Sequence, residues 1–568
     1  MIERPGESLF VAHDAHALPA PLAASVEECW RRAQSRWSRF LLLARPAHDP
    51  AMEGIAQIDL KTRQVCLNGK TILEKGLEHT LEALLAHEIG HHVRYPGSLG
   101  VWARLRLMER SLIPLENYSL VNVFTDLLIN EQLGGYYRNE FSQVYRTFSA
   151  DLNWRQDPAF VFYLAVYEEL WQREPGELMG PARPRFERAY EGYRAQAHVL
   201  AQDLFHLGPN VYTQFIYFLS VISRYIQPKK RKDPKSLDPY CCGRGQPSPE
   251  DWADALRPSG SEMDAVRRAL AEGWIDAEQA ERLGGQDVLE RRIASLPGQA
   301  TGNADQVPEI MAAYYRREAD RYLFQPPPQR LMGEAIVPTT LEEWETGDPV
   351  QEIDWLATLV GRGEALGGIQ PLKRERIADY EGLDVPLWQP RVEIYLDVSG
   401  SMPDPRTTRN AMTLAAQILT TATIRASGAV RALLYSSGHV SYWTWCRSEI
   451  EISRFIMHYI GAGTEFPFPV LKESVAECRA AHPIRIVITD RDFDHNYGQA
   501  TENARIFAEA AAASAQLILL QRDPTDQQRG VYERLGARVV PVDDLEDFPK
   551  MAAALSFALF AGRDRGPV

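Results

Sequence analysis

Arg391-Val392-Glu393-Ile394-Tyr395-Leu396-Asp397-Val398-Ser399-Gly400-Ser401-Met402 decides how the end of this chain folds. An apolar run that ends on an acid and breaks into Ser-Gly-Ser reads as a buried strand feeding a tight loop. Beyond Met402 the pattern alternates in kind. Helical patterns cover 406–427, 449–460, 468–481, 502–515 and 549–560, and apolar strand patterns cover 430–435, 484–489, 516–520 and 538–542. Strands separated by helices predict a doubly wound, mostly parallel sheet over residues 390–568.

In such a sheet the loop after the first strand lies at the carboxyl edge, where ligands bind. Asp397, Ser399 and Ser401 then offer one carboxylate and two hydroxyls at alternate positions, which are hard oxygen ligands suited to Mg²⁺. Two further oxygen donors are placed to converge there: Thr464 in the Gly-rich stretch 461–466, and Asp490 directly after the 484–489 strand.

A second metal signature lies far upstream. His87-Glu88-Ile89-Gly90-His91 falls within a stretch, Leu77 to Arg94, that reads as one helix ended by Tyr95-Pro96-Gly97. HExxH on a helix sets two imidazoles one turn apart on one face, able to grip one Zn²⁺, with the glutamate as general base. A catalytic zinc needs a third protein ligand and a position left for water.

The segment Leu120 to Leu133 reads as a buried helix ending at Gly134-Gly135, with Asn122, Asp126 and Asn130 in a polar line. A buried carboxylate needs a strong partner, so Asp126 is the expected third ligand, with Glu131 as the alternative and Arg94 as a non-metal partner. Asn122 and Asn130 are expected to orient the ligands from behind. His92 points to another side of the helix. Tyr118, Tyr136 and Tyr137 are all available to stabilise an oxyanion, and nothing in the sequence selects among them. This set predicts a mainly α, zincin-like metallopeptidase domain over residues 1–227, with zinc activating water and Glu88 taking its proton.

Between the two lies a linker and helical middle region, 228–389. It carries the basic run Lys229-Lys230-Arg231-Lys232, the pair Cys241-Cys242 without zinc spacing, and an extended Pro326-Pro327-Pro328.

Composition bounds the rest. The chain has 568 residues, 45% hydrophobic and 24% charged, enough for two to four domains. A net charge of −14 argues against a nucleic-acid partner. The most apolar window, Val211 to Ile226, carries Gln214, Ser220 and Arg224 and is too short for a membrane span. The start, Met1 to Pro5, lacks a basic region leading into an apolar run, and six scattered cysteines (Cys29, Cys66, Cys241, Cys242, Cys446, Cys478) fit reduced thiols, so a cytoplasmic protein is expected.

DxSxS, a Gly-rich loop with threonine, and a strand ending Thr489-Asp490 together resemble the metal-ion-dependent adhesion site (MIDAS) of von Willebrand factor A (VWA) domains. One position departs: that family continues Thr-Asp-Gly, and here Arg491 follows. The resemblance implies a Mg²⁺ held by Asp397, Ser399, Ser401, Thr464 and Asp490, with an open position for a partner's carboxylate. The stretch 347–355, Gly-Asp-Pro-Val-Gln-Glu-Ile-Asp-Trp, resembles the lead-in of bacterial VWA proteins linked to MoxR-type AAA+ ATPases. An HExxH metallopeptidase domain ahead of a VWA-like domain is similar to bacterial proteins of those systems. The implied partner would supply ATP hydrolysis, since this chain has no Gly-x-x-x-x-Gly-Lys-Ser/Thr loop. Three readings stand: a zinc metalloendopeptidase acting on a protein substrate, a non-proteolytic adaptor of the ATPase with a structural or vestigial zinc site, or a zinc hydrolase acting on something other than peptides.

Overall fold

The computed structural model describes residues 18–52, 54–113, 119–150, 158–226, 245–296, 306–323, 335–362, 371–379, 389–478 and 481–560. Met1–Pro5, Tyr118, Lys229–Lys232, Cys241, Cys242 and Pro326–Pro328 lie outside them.

The described residues up to Ile226 are mainly helical around one small sheet. β1 (Ala47–His48) pairs parallel with β3 (Gln64–Leu67), and β2 (Ala56–Asp59) pairs antiparallel with β3. The β2–β3 turn is built by Asp59, whose carboxylate accepts from the backbone N–H groups of Lys61 and Thr62, with Arg63 in the left-handed region.

The motif helix spans Leu81–Val93, preceded by a 3₁₀ turn at Glu78–Thr80, so it begins later than the sequence pattern suggests. The next long helix is a larger departure. It runs Leu120–Ser149, straight through Gly134-Gly135, and breaks only at Tyr137, whose φ is −129° and ψ 17°. Glycine is tolerated inside a helix when neighbours hold it, and Gly134 sits against the Trp171 side chain. Arg183–Ala189 and Tyr193–Asp203 are separate helices, divided by Gly192 at φ 80°. Val211–Ile222 is a buried core helix. Among the described residues no helix is long and apolar enough to cross a membrane.

A hairpin of β4 (Ala335–Glu343) and β5 (Leu372–Asp379), unforeseen in the sequence, precedes the C-terminal unit. That unit is a six-stranded sheet. Its strands are β6 (Arg391–Asp397), β7 (Ala429–Tyr435), β8 (His439–Cys446), β9 (Ile484–Thr489), β10 (Gln516–Arg522) and β11 (Ala537–Val542). Their order is β11-β10-β9-β6-β7-β8. All neighbours are parallel except β8, an antiparallel edge strand that the sequence reading lacked. Chain order reverses between β6 and β9, which makes their carboxyl ends the topological switch point. The helix expected from 406 begins at Ala411, because Asn410 caps it by accepting from the Thr413 N–H.

Three hydrophobic cores form. One fills the N-terminal helical unit, and the other two cover the two faces of the six-stranded sheet. Helices from the 228–389 stretch divide between them. Gly260–Ala271 packs into the N-terminal core through Ala265, Val266 and Ala269, and Gln306–Tyr322 packs on the sheet side through Ile310, Met311 and Tyr315. The Leu99–Leu112 helix enters both, with Leu105 and Met108 on one side and Ala103 and Leu107 on the other.

Candidate metal centres

The motif helix crosses the long helix at close range because Gly90, inside the pentad, has no side chain. A Cβ there would stand 2.7 Å from both Ile129 Cγ2 and Trp37 Cζ2. Trp37 Nε1 donates to the Ala86 carbonyl at 2.7 Å and pins the same helix. Close approach at Ile129 brings its neighbours, Asp126 and Asn130, onto the pentad.

His87, His91 and Asp126 converge there, each offering one ligand atom, all within 4.8 Å of one another. Asp126 Oδ1 lies 3.5 Å from His87 Nε2 and 3.1 Å from His91 Nε2, and the two Nε2 atoms are 3.2 Å apart. The hydrogen bonds fix the tautomers. Asn130 Nδ2 donates to the Tyr145 and Tyr167 hydroxyls, so Asn130 Oδ1 faces His87 Nδ1 at 2.7 Å as an acceptor. His91 Nδ1 is 3.0 Å from the Tyr95 carbonyl, which can only accept. Each imidazole therefore carries its hydrogen on Nδ1 and turns an Nε2 lone pair toward the other and toward the carboxylate. Three lone-pair donors aimed at one point are the donor set of a cation. Two histidines and one acid suit Zn²⁺ and leave a fourth position.

Glu88 is buried beside them, and the site as a whole is closed: His87, Glu88, His91 and Asp126 are 1%, 2%, 5% and 2% exposed.

The other sequence candidates are occupied elsewhere. Asn122 accepts from Trp102 Nε1 at 3.3 Å and does not orient a histidine. Glu131 accepts from Trp171 Nε1 at 3.2 Å, its carboxyl pushed up by burial, and it stands outside the cluster. Arg94 is exposed over the Tyr95 ring, not paired with Asp126. Tyr137 donates to Glu82 and accepts from Arg36, and Tyr136 is 60% exposed.

Missed in the sequence is a buried tyrosine cluster behind Asn130. The Tyr145, Tyr163 and Tyr167 hydroxyls lie 2.9–3.2 Å apart in pairs. Burial raises the Tyr167 phenol far above its ordinary value, and the charge of Asp126 raises it further. Tyr163 and Tyr167 sit one turn apart on Pro158–Leu170, a spacing visible in the sequence but indistinguishable there from ordinary core.

At the other end of the molecule, Asp397 ends β6 at the switch point. Ser399 Oγ and Ser401 Oγ are 3.0 Å apart, and Ser401 Oγ donates to Asp490 Oδ2 at 3.1 Å. Asp397 accepts from the Ser399 N–H and, at 3.4 Å, from Thr489 Oγ1. Gly400 suits a close approach: its N–H bonds the Ala462 carbonyl at 2.7 Å, and a Cβ would stand 3.1 Å from the Gly461 carbonyl and press on that loop. That contact seats the 461–466 loop, which carries a half-buried Thr464 whose carbonyl accepts from Asn496 Nδ2. Burial first, and the nearby Asp490 charge second, push the Asp397 carboxyl from 3.8 up to about 7. Two buried acids brought together, with the Ser399 and Ser401 hydroxyls beside them and Ser401 open to solvent, fit a hard divalent cation. Arg491 turns away, its Nε donating to the Asp523 carbonyl at 3.3 Å.

A doubly wound sheet with an antiparallel edge strand, carrying an Asp/Ser/Ser/Asp cluster at its switch point, is the arrangement expected of a VWA-like domain. The chain joins it to a helical unit built around a two-histidine, one-aspartate cluster. No family model matches the chain, and no curated protein matches it in sequence. Among solved structures it is similar to a von Willebrand factor type A protein from Catenulispora acidiphila, at 14% identity and TM-score 0.24, covering 30% of this chain and 42% of that one. It is also similar to an aerotolerance-related membrane protein from Bacteroides fragilis NCTC 9343 with multiple mutations to serines. There the identity is 13% and the TM-score 0.23, over 30% of this chain and 99% of the other. Superpositions this loose carry no weight, and the VWA-like description rests on the strand order and the loop residues.

Proposed function

We propose that this chain is a zinc-dependent metallopeptidase whose VWA-like domain binds Mg²⁺ and engages a protein partner or substrate through a carboxylate. The observation that supports it most is the pair of Nε2 lone pairs facing Asp126 Oδ1 with both Nδ1 hydrogens already committed. His87, His91 and Asp126 would hold the zinc, which when bound polarises a carbonyl and acidifies water. Glu88 takes the proton from the attacking water and delivers it to the leaving amine. Asn130 holds the His87 ring and its tautomer, and the tyrosine cluster holds Asn130. Asp397, Ser399, Ser401, Thr464 and Asp490 would hold Mg²⁺. The proposed partner is a MoxR-type AAA+ ATPase, and the proposed setting is the cytoplasm.

The closure of the site favours a second reading on one specific ground. A peptidase must admit a peptide, and four side chains at 5% exposure or less do not. Either the enzyme is latent until a partner opens it, or the zinc is structural and the chain is a non-proteolytic adaptor. Cleavage of unfolded casein by the zinc-loaded full chain separates these, run with and without the ATPase and ATP. The peptidase reading predicts cleavage in at least one condition and a loss of about 10²–10⁴-fold in Glu88→Gln. Retained zinc with no cleavage under any condition favours the adaptor.

A further inference from the structure

The unit built on β4 and β5 presents apolar side chains outward from an ordered backbone. Val350 is 63% exposed, Trp355 58%, Leu356 74% and Leu341 50%. Single exposed apolar residues need no explanation, but here four fall within sixteen residues of sequence.

The backbone around them is firmly held. The Trp344 N–H donates to the Pro371 carbonyl at 2.7 Å, the Asp354 N–H to the Leu372 carbonyl at 2.8 Å, and the Leu372 N–H to Thr358 Oγ1 at 2.9 Å. Asp354 Oδ1 caps the Trp355–Arg362 helix by accepting from the Ala357 N–H at 2.8 Å. The principal contacts of this unit are internal, β4 with β5 and β5 with the 3₁₀ turn and helix between them. A frame ordered in this way is preorganised and loses little entropy on docking.

Charge states what that is. Residues 341–356 contain six acids (Glu342, Glu343, Glu345, Asp348, Glu352, Asp354) and no lysine or arginine. Lys373, which reaches the turn from β5, is bound to Asp348 at 2.8 Å.

We propose that residues 341–356 are a docking knuckle that inserts Val350, Trp355 and Leu356 into an apolar groove of a separate protein, rimmed by lysine or arginine. Trp355 is the anchor, since large aromatics carry a disproportionate share of binding energy. The acids at the edge steer and orient the encounter. This surface is independent of both metal centres.

The test is photo-crosslinking of the full-length chain in its native host, with p-benzoylphenylalanine replacing Leu356 and, as control, Leu270, an apolar residue 44% exposed on another helix. The expected result is an adduct from position 356 and not from 270. Its mapped peptide should be an apolar segment of a second protein flanked by Lys or Arg. Its yield should fall about tenfold in Trp355→Ala and in the surface double variant Glu345→Lys/Glu352→Lys. No adduct, an adduct only to copies of this chain, or a yield indifferent to charge reversal would overturn the proposal.

Discussion

Asn130 Oδ1 accepts the Nδ1 hydrogen of His87 at 2.7 Å, from a side chain whose own amide is held by two tyrosine hydroxyls. One asparagine thereby sets both the tautomer and the orientation of the first pentad histidine. Asn130→Leu should lower zinc affinity about 10–100-fold while leaving the three ligands in place. Competition with a chromophoric chelator measures this. An affinity unchanged from wild type would show that Asn130 is only core filling.

Gly90 admits the long helix to the pentad. Gly90→Ala places a methyl 2.7 Å from Ile129 and Trp37, so the helices must part. The expected cost is about 1–3 kcal/mol, read from chemical denaturation, together with weaker zinc retention as Asp126 moves away.

The pentad and the Asp-x-Ser-x-Ser loop were legible in the sequence because both are local: i, i+4 on one helix and alternate positions on one turn. Asp126 was legible because a carboxylate in an otherwise apolar helix demands a partner. Asn130 emerged by the same logic, whereas Asn122, on the same polar line, turns instead to Trp102. The tyrosine cluster, the burial of Glu88 and the antiparallel β8 were not legible, since each depends on which distant segments meet. The continuation of the long helix past Gly134-Gly135 was hidden for a related reason: tertiary packing overrode a local helix-ending signal.

Beneath the VWA-like sheet, Glu393 is bound at 2.8 Å by Arg431 and at 2.9 Å by Arg485, all three at most 1% exposed. Removing one partner of a buried ion network strands the others. Glu393→Ala should destabilise the fold by about 3–5 kcal/mol, because Arg485 loses its buried carboxylate partner and Arg431 is left with Glu477. Urea denaturation checks it, and a loss below about 1 kcal/mol would contradict the reading.

Asp397 titrates at about 7 in the fold against an ordinary 3.8. A raised carboxyl binds its proton more tightly in the folded state. Its contribution to stability is therefore complete below about pH 4 and is lost as pH rises through about 7. In magnesium-free buffer the melting temperature should fall between pH 5 and pH 8. Added Mg²⁺ should restore it at pH 8 far more than at pH 5. Asp397→Asn should flatten both dependences. A Mg²⁺ effect equal at both pH values would place the cation elsewhere.

The proposed function stands on His87, His91 and Asp126 holding one zinc with a coordination position left open. Elemental analysis of the full-length protein from zinc-replete expression decides this, alongside His87→Ala, Asp126→Ala and Glu88→Gln. Three protein ligands with Glu88 outside the set should give about one zinc per chain in wild type and in Glu88→Gln, and its loss in both ligand variants. Wild-type protein without zinc, or zinc retained in full by Asp126→Ala, would refute that arrangement.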